Sequence, residues 1–399
     1  MDETFAQALR RFRGDLSQRA VARLAAVGKG HVGDLESGRR RPSLAVATAL
    51  DRALGAGGNL IDLVTPPAGA STVERAAALH KSLDERLAAG PMSEAGIADW
   101  EYTVNRYGRA TRYRPEEELL PELIDDFTVL QHHLSHRHSP DVRRRLSVVA
   151  ARFCGLMALT LLKAGEPTAR HWWRTGRRFA AAAADQIDSS NTDGRATLSW
   201  IYAQESYQLY YGGDLHGAVD LAIRSRQLAG SLPCVGPALA ASLQARAHAA
   251  LHQPDETAAA LAEAQAALDR LDPAERAASA CGYSESQLRF HAGNAWTHLG
   301  ATDRARAEHE RALELYPLTE YTDRVLVQLD QAACLATGGD TAAAAAHAVT
   351  ALTSMPAEHR SALILYRAKE LAATVPPERQ KLQEVRELHE MLALPGRDG

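Results

Sequence analysis

The sequence has few cysteines, and they are not clustered along the chain. The four cysteines are Cys154, Cys234, Cys281 and Cys334, and no CxxC motif occurs. Structural zinc sites and disulfide frameworks depend on cysteines at characteristic spacings. The sequence therefore predicts neither of them and favours a reducing compartment.

Segments that would direct the chain to a membrane are also missing. Residues 1–5 form no basic leader, and no apolar segment follows them. No run approaches the roughly 18 apolar residues that a transmembrane helix needs. We therefore expect a cytoplasmic protein with no membrane partner.

Motifs of catalysis are absent as well. The sequence contains no glycine-rich phosphate loop, no GxSxG elbow and no HExxH motif. We therefore expect a protein that is not an enzyme and that uses no cofactor.

The composition indicates a helical protein of more than one domain. Hydrophobic residues make up 46% and charged residues 24%, which is ordinary for a folded chain, but aromatic residues make up only 6%. Alanine is abundant while valine, isoleucine and phenylalanine are sparse, which favours closely packed helices over β-sheet. A chain of 399 residues exceeds one compact core. We predict an all-α fold with two or three domains or one extended repeat array.

Charge is distributed unevenly along the chain. Residues 1–64 carry ten Lys and Arg against seven Asp and Glu, a net charge of +3; because the whole chain carries −4, the remainder carries −7. A basic N-terminal segment suits contact with phosphates.

Residues that typically begin or end helices divide residues 4–64 into five short predicted helices. Ser17 is placed to cap the second helix, Gly38 to end the third, and Ser43 to begin the fourth. Asn59 is placed to cap a fifth helix that ends near residue 64. Short helices in this order predict a compact bundle.

These signals give three predicted parts of the chain. The first is a domain over residues 1–64, called the head below. Residues 65–70 have the composition of a linker. The third part, residues 71–395, is called the body below, and its clearest repeats fall at about residues 199–360.

Two stretches of the head resemble the Xre family of phage-repressor-type helix-turn-helix domains. They are LSQRAVA at residues 16–22 and LESGRRRPS at residues 35–43. The resemblance implies a five-helix DNA-binding bundle in which residues 17–24 form the first helix of the motif. Residues 28–37 would then form the recognition helix.

The resemblance also implies which residues contact DNA. Gln18, at a helix N-terminus, is expected to hydrogen-bond a phosphate. Residues near the start of the recognition helix are expected to reach base edges in the major groove. These base-reading positions are Lys29, Gly30, His31, Gly33 and Asp34.

A run of three arginines, Arg39, Arg40 and Arg41, follows the recognition helix. In this position it is expected to hold the DNA backbone through salt-sensitive, sequence-independent contacts. Outside such a context the same run would be a solvated charge cluster. Arg11 and Glu36 occupy positions that form an ion pair in similar domains, and this pair would join the first helix to the recognition helix.

The head departs from the family pattern in its motif. Ala26 stands in a turn where the family usually has glycine. Gly28, Gly30 and Gly33 put three glycines in one short helix, each costing up to ~1 kcal/mol relative to alanine. Asp34 adds a negative charge near the phosphates. These departures predict a recognition helix that is loose without DNA, and they weigh against tight sequence-specific binding.

From residue 71 onward, amphipathic helices alternate with short Gly, Asp or Pro breaks. The segment from Gly293 to Pro317 resembles one tetratricopeptide repeat, with its small residues, glycine turn and closing proline. The same frame of small residues, with offsets of 12 and 7, recurs at periods of 41, 46 and 39 residues. The frames are Ser206/Ala218/Ser225, Ala247/Ala259/Ala266, Gly293/Ala305/Ala312 and Ala332/Ala344/Ala351.

Stacked helix pairs of this kind form a superhelix whose inner face is lined by the first helix of each pair. Aromatic and amide side chains there suit a peptide backbone or a small amphipathic molecule. The alternative is that the aromatic side chains fill the gaps between repeats. The predicted inner-face residues are Trp200, Gln204, Tyr207, Tyr211, Gln244, His248, His291, Asn294, His298 and Asp330.

Two further clusters have structural interpretations that we favour. The histidine-rich tract at residues 132–138 has no carboxylate or cysteine beside it to complete a metal site, so it predicts an exposed helix end. Trp172 and Trp173 stand next to three arginines, which suits a helix anchor with solvated charges better than a base-stacking platform.

The combined architecture resembles the peptide-responsive quorum-sensing regulators and, more closely, the repeat-bearing Xre regulators of actinobacteria. The resemblance implies a homodimer on a double-stranded DNA operator, with a peptide or small-molecule effector that changes the spacing of the two heads.

Two alternatives remain open at this point. The body could capture a partner regulator while the head binds DNA only weakly. The head could also bind DNA without sequence preference, as in an accessory nucleoid or anti-regulator protein.

Overall fold

The computed structural model describes residues 4–64, 79–80, 83, 92–185 and 192–393. The chain divides into two compact units, residues 1–90 and 91–399. Every regular element in the described residues is helical, which confirms the predicted all-α fold. The linker predicted at residues 65–70 lies outside the described residues.

The head contains the five predicted helices. They are α1 (Phe5–Arg13), α2 (Gln18–Leu24), α3 (Lys29–Glu36), α4 (Leu44–Leu54) and α5 (Asn59–Asp62).

Local capping explains where these helices begin and end. Ser17 Oγ accepts from the Ala20 amide at 3.2 Å, and Ser43 caps α4 in the same way. Gly38 follows α3 with a left-handed φ of 71°. The fifth helix differs from the prediction, because Gly58 occupies its cap position and Asn59 is its first residue.

The head is held by a small apolar core and by the buried carboxylate of Asp51. Leu9 of α1, Val32 of α3 and Leu50 of α4 are fully buried within this core. The Asp51 carboxylate accepts from the amides of Gly58 and Leu60, each at 2.9 Å. This carboxylate therefore fixes the turn between α4 and α5.

The body continues with fourteen α-helices in its described residues. They are α6 (Glu94–Ala110), α7 (Glu116–Leu134), α8 (Pro140–Lys163), α9 (Ala169–Ala184), α10 (Asp193–Tyr211), α11 (Leu215–Ala229), α12 (Val235–Ala250), α13 (Pro254–Asp269), α14 (Glu285–His298), α15 (Thr302–Leu315), α16 (Tyr321–Thr337), α17 (Thr341–Thr353), α18 (Ala362–Ala373) and α19 (Gln383–Ala393).

Successive helices of the body pack in pairs, from α8/α9 to α16/α17. The last four pairs share one tight turn with a left-handed residue: Gly213, His252, Gly300 or Gly339. In each turn the following amide bonds back to the carbonyl five residues earlier, at 2.9 to 3.1 Å. The turn predicted around Pro254 therefore has its left-handed residue two positions earlier, at His252, where histidine replaces the usual glycine.

The predicted frames of small residues are buried in three of the four pairs. Ser206, Ala218 and Ser225 are all 0% exposed, and the frames that begin at Gly293 and Ala332 are buried too. The frame at Ala247 is out of register by two residues, because Ala259 and Ala266 are exposed. The equivalent positions two residues earlier, Ala245, Thr257 and Ala264, are all 0% exposed. The left-handed residue of this turn is His252, and Ala247 lies only five residues before it instead of seven.

Among the helices that the structure describes, α8 is long and apolar enough to cross a membrane by length and composition. The sequence pattern had predicted no such helix. However, 78% of its most apolar window is buried in the body, where α8 packs against α6, α7, α9 and α10. This burial is typical of a core helix.

An aromatic cluster surrounds α8 near the start of the body. The Phe153 ring meets those of Trp100, Tyr107 and Phe127 edge to face at 5.7 to 6.0 Å. Trp173 is fully buried, as expected for a helix anchor. The histidine-rich tract begins at the end of α7, and among the described residues no group of three potential metal ligands occurs.

Candidate nucleic-acid interface and interior cavity

The helix-turn-helix geometry is set by the turn between α2 and α3. Helix α2 ends on Ala25, and Ala26 adopts a left-handed φ of 52°. The Val27 amide then bonds to the Ala22 carbonyl at 2.9 Å, which completes a Schellman turn. The position that usually carries glycine therefore has the conformation that favours glycine, although alanine occupies it.

The start of α3 is the exposed part of the motif. Lys29 and Gly30 are exposed, whereas His31, Gly33 and Asp34 are half-buried. The opposite face of α3 enters the head core through Val32 and Leu35. Of the predicted base-reading residues, Lys29 is thus the exposed cation.

Only two of the three glycines lie within α3. Gly28 is the cap residue before the helix, with φ −68° and ψ 140°. A Cβ on Gly30 would meet nothing within 4 Å, while one on Gly33 would lie 3.4 Å from Oε1 of Gln18. The expectation of three glycines inside one helix is therefore wrong, and the propensity cost falls on Gly30 and Gly33.

Gln18 already has a partner within the head. Its Nε2 donates to Oε2 of Glu36 at 2.7 Å. The absence of a side chain at Gly33 leaves space for this contact between α2 and α3. Phosphate binding by the Gln18 side chain would have to compete with this hydrogen bond.

The ion pair at Glu36 differs from the expected one. Arg13, not Arg11, places Nε 2.5 Å from Oε1 of the buried Glu36 carboxylate. Arg13 also donates to the Leu16 carbonyl at 2.6 Å. The prediction named the correct helix and carboxylate but the wrong arginine, because α1 turns Arg13 toward α3.

The arginine run is exposed, and its first member is paired. Arg39 places Nη2 3.1 Å from Oδ1 of Asp34, so the negative charge on α3 is partly neutralised. Arg40 and Arg41 are exposed. The run therefore offers two cations to a phosphate backbone without breaking an ion pair.

His31 lies between these charges. Burial lowers its pKa, and the nearby Arg40 guanidinium lowers this pKa further, while Asp34 opposes the shift. Nε2 of His31 is buried without a hydrogen-bond partner among the described residues. The lowered pKa favours a neutral ring at pH 7.

In the body, the first helices of the pairs line a cavity of about 130 Å³ that is partly open to solvent, called the interior cavity below. Gln204, Tyr207, Tyr211 and His291, which were predicted on the inner face, line this cavity. The extended concave surface stays a prediction, since only these four of its ten predicted residues meet at the cavity. Arg112, just after α6, pairs with Glu320 and Asp323 at the start of α16.

The remaining predicted inner-face residues do not line the cavity. Trp200 is buried and donates to the Ala280 carbonyl at 2.8 Å. Gln244 accepts from Arg226 at 2.8 Å, and His248 bonds Gln253 in the turn after α12. For these residues the packing alternative describes their environment better.

Asn294, His298 and Asp330 belong to a buried polar network beside the cavity. Asn294 donates from Nδ2 to Asp330 at 2.9 Å, and Tyr210 contacts both Asn294 and His298. Arg367 of α18 pairs with Asp330 at 2.9 Å. The network joins α10, α14, α16 and α18.

Sequence reasoning missed Arg246, a buried cation of α12 that lines the cavity. It is 1% exposed, and its guanidinium carbon lies 4.6 to 5.9 Å from the ring centroids of Tyr207, Tyr210, Tyr211 and Phe290. A lone arginine in an alanine-rich helix looks like a surface residue in the sequence. The signal that could have found it is its position seven residues after Leu239, another lining residue on the same face of α12.

The comparisons with known proteins concern the head. A family model described as a helix-turn-helix domain matches residues 4–64. No curated protein and no solved structure matches the chain. The match and the geometry of α2 and α3 support an Xre-like helix-turn-helix domain, which indicates a DNA-binding regulator.

Proposed function

We propose that this protein is a cytoplasmic, sequence-specific transcription regulator that acts as a homodimer and whose body senses an effector. The observation that carries the proposal is the exposed start of α3 beside Arg40 and Arg41, within a matched helix-turn-helix domain. Helix-turn-helix proteins read bases with the N-terminal part of this helix.

On DNA, Lys29 would reach base edges from the first turn of α3. The absence of a side chain at Gly30 allows the backbone to approach the groove. Arg40 and Arg41 would neutralise phosphates and so contribute affinity that depends on salt but not on sequence. Asp34, held by Arg39, would contribute selectivity by repelling poorly aligned phosphates.

The short length of the recognition helix α3 supports a dimer. Helix α3 has eight residues, and one such helix contacts few base pairs. Two heads on a two-fold operator supply the missing contacts. We place the dimer contact in the body, as the resemblance to repeat-bearing regulators implies.

Effector sensing would use the interior cavity. The body is best described as a tetratricopeptide-like array, since four helix pairs share the same left-handed turn. A cavity of about 130 Å³ suits a small molecule or one terminus of a peptide rather than an extended peptide. We expect the protein to act by binding and not by catalysis.

The test is titration of the full chain with DNA from upstream of its own gene, against random competitor DNA, at about 150 mM salt. Lys29→Ala should weaken binding to the specific site by about 1–3 kcal/mol and leave random DNA little affected. Arg40→Ala with Arg41→Ala should weaken both kinds of binding and reduce the salt slope by about two.

Lys369→Ala, an exposed lysine of α18, is the matched control and should leave both affinities unchanged. If all binding disappears into the random competitor, the alternative gains: a repeat scaffold that captures a partner regulator. Two observations favour this alternative. Helix α3 contains two glycines, and the Gln18 side chain is already hydrogen-bonded to Glu36.

A further inference from the structure

Arg246 carries a buried positive charge whose hydrogen bonds, in the part of the chain that the structure describes, go to neutral groups. Its Nε donates to Oδ1 of Asn294 at 2.7 Å, and its Nη2 to the Tyr211 hydroxyl at 3.3 Å. Its Nη1 is buried without a hydrogen-bond partner among the described residues, and no carboxylate among them forms an ion pair with it. Burial opposes the charge, but the surrounding phenols and Asp330 raise the pKa of Arg246 above its usual value.

Two partly buried arginines of the body are compensated differently. Arg112 contacts both Glu320 and Asp323, and Arg367 contacts Asp330. A buried ion without a counterion is costly, and aromatic faces and neutral acceptors offset only part of this cost. Arg246 thus lacks the one group that its neighbours possess.

The same arginine lines the interior cavity. Leu239, Phe290 and Leu326 supply apolar surface to the cavity wall, while Gln204 and His291 supply hydrogen-bonding groups. An engineered apolar cavity of about 150 Å³ holds one benzene molecule. The part of a ligand held within about 130 Å³ would therefore be about the size of one ring or a short branched chain.

We propose that this cavity binds a small organic monoanion, a carboxylate with a compact apolar body, whose charged group pairs with Arg246. This inference rests on the effector site proposed above and specifies its chemistry. A monoanion fits better than a dianion, because the nearby Arg112 and Lys163 are already engaged by Glu320, Asp323 and Glu116. The ligand would complete the ion pair that the protein leaves open.

The test compares matched pairs of probes on the full-length protein. Isobutyrate, benzoate and phenylacetate are titrated beside isobutyramide, benzamide and phenylacetamide at constant ionic strength, with calorimetry and thermal unfolding as readouts. At least one carboxylate should bind about tenfold or more tightly than its amide, since a charge-assisted hydrogen bond replaces a neutral one. Equal binding of every pair, or no binding of any probe, would overturn the inference.

Variants locate the site. Arg246→Met should abolish the preference for carboxylate over amide, and Arg246→Lys should retain part of it. Arg177→Gln is the control, because Arg177 pairs with Glu205 away from the cavity lining. Retained preference in a folded Arg246→Met protein would contradict the proposal, and the probe pairs on the unmodified protein decide the case if this variant does not fold.

DNA binding is measured separately, so the two proposals fail independently. A protein that binds its operator but shows no carboxylate preference keeps its place as a regulator and refutes the ligand class. A protein that prefers a carboxylate but binds DNA equally with and without it supports the ligand class and refutes the sensing role.

Discussion

Arg112 places Nη2 2.6 Å from Oδ2 of Asp323, which joins the residue after α6 directly to α16. Glu320 adds a second carboxylate at 3.1 Å. These residues are more than 200 positions apart in the sequence, so the contact ties two distant parts of the body together. Arg112 and Asp323 both line the interior cavity.

Removing the Arg112 side chain should destabilise the contact with Glu320 and Asp323. Arg112→Met leaves two largely buried carboxylates without a cation, so we expect the free energy of unfolding to fall by about 3 kcal/mol or more. Combining it with Glu320→Gln and Asp323→Asn should recover part of the loss, because no unpaired charge remains. Urea unfolding measures both, and Arg311→Met, at an exposed ion pair, should change stability by less than about 0.5 kcal/mol.

The turn of the head offers a stabilising substitution. Ala26 has a φ of 52°, a conformation in which glycine is preferred by about 1 kcal/mol. Ala26→Gly should therefore slow hydrogen exchange of the α2 and α3 amides in the full chain. Ala25→Gly, one residue earlier at a φ of −88°, should have the opposite effect. Faster exchange in Ala26→Gly would show that the turn is not strained.

Close helix packing in the body predicts that replacing one of its glycines by alanine is destabilising. A Cβ on Gly236 would lie 2.8 Å from the carbonyl carbon of Ser199, and this backbone cannot move alone. Gly236→Ala should cost about 1–3 kcal/mol in the free energy of unfolding. The same change at Gly30, where a Cβ meets nothing within 4 Å, should stabilise α3 by up to about 1 kcal/mol. A neutral Gly236→Ala would contradict the tight contact between α10 and α12.

His291 makes stability depend on pH. Burial, aided by Arg246 and Arg112, lowers its pKa well below 6.5. Below pH 6.5 the unfolded chain therefore binds a proton that the folded protein does not. As the pH falls below 6.5, this residue should lower the free energy of unfolding by up to about 1.4 kcal/mol for each pH unit. Above pH 6.5 it should have no effect on stability.

The comparison is between the unmodified protein and His291→Gln from pH 7.5 to pH 5.5. As the pH falls, the free energy of unfolding should decrease less steeply in the variant than in the unmodified protein. Part of the decrease should remain, because burial also lowers the pKa of His298 and that of His309. His132→Gln, at the exposed end of α7, controls for removal of a histidine. Equal slopes in the unmodified protein and His291→Gln would refute the assignment.

The sequence predicted most local features correctly. Ser17, Gly38 and Ser43 mark helix ends, and capping depends only on residues within a few positions of each other. Three of the four small-residue frames are buried as expected. The exception at Ala259 arose because His252 takes a left-handed conformation that glycine normally signals.

The sequence by itself determined the helices, the order of their pairs and the helix-turn-helix motif, because helix periodicity and caps are local properties. Tertiary structure alone decided that Arg13 rather than Arg11 meets Glu36, that Arg112 pairs with residues at the start of α16, and that Arg246 is buried beside a cavity. These outcomes depend on which face each helix presents to neighbours that are distant in the sequence. No short stretch of sequence encodes such long-range packing.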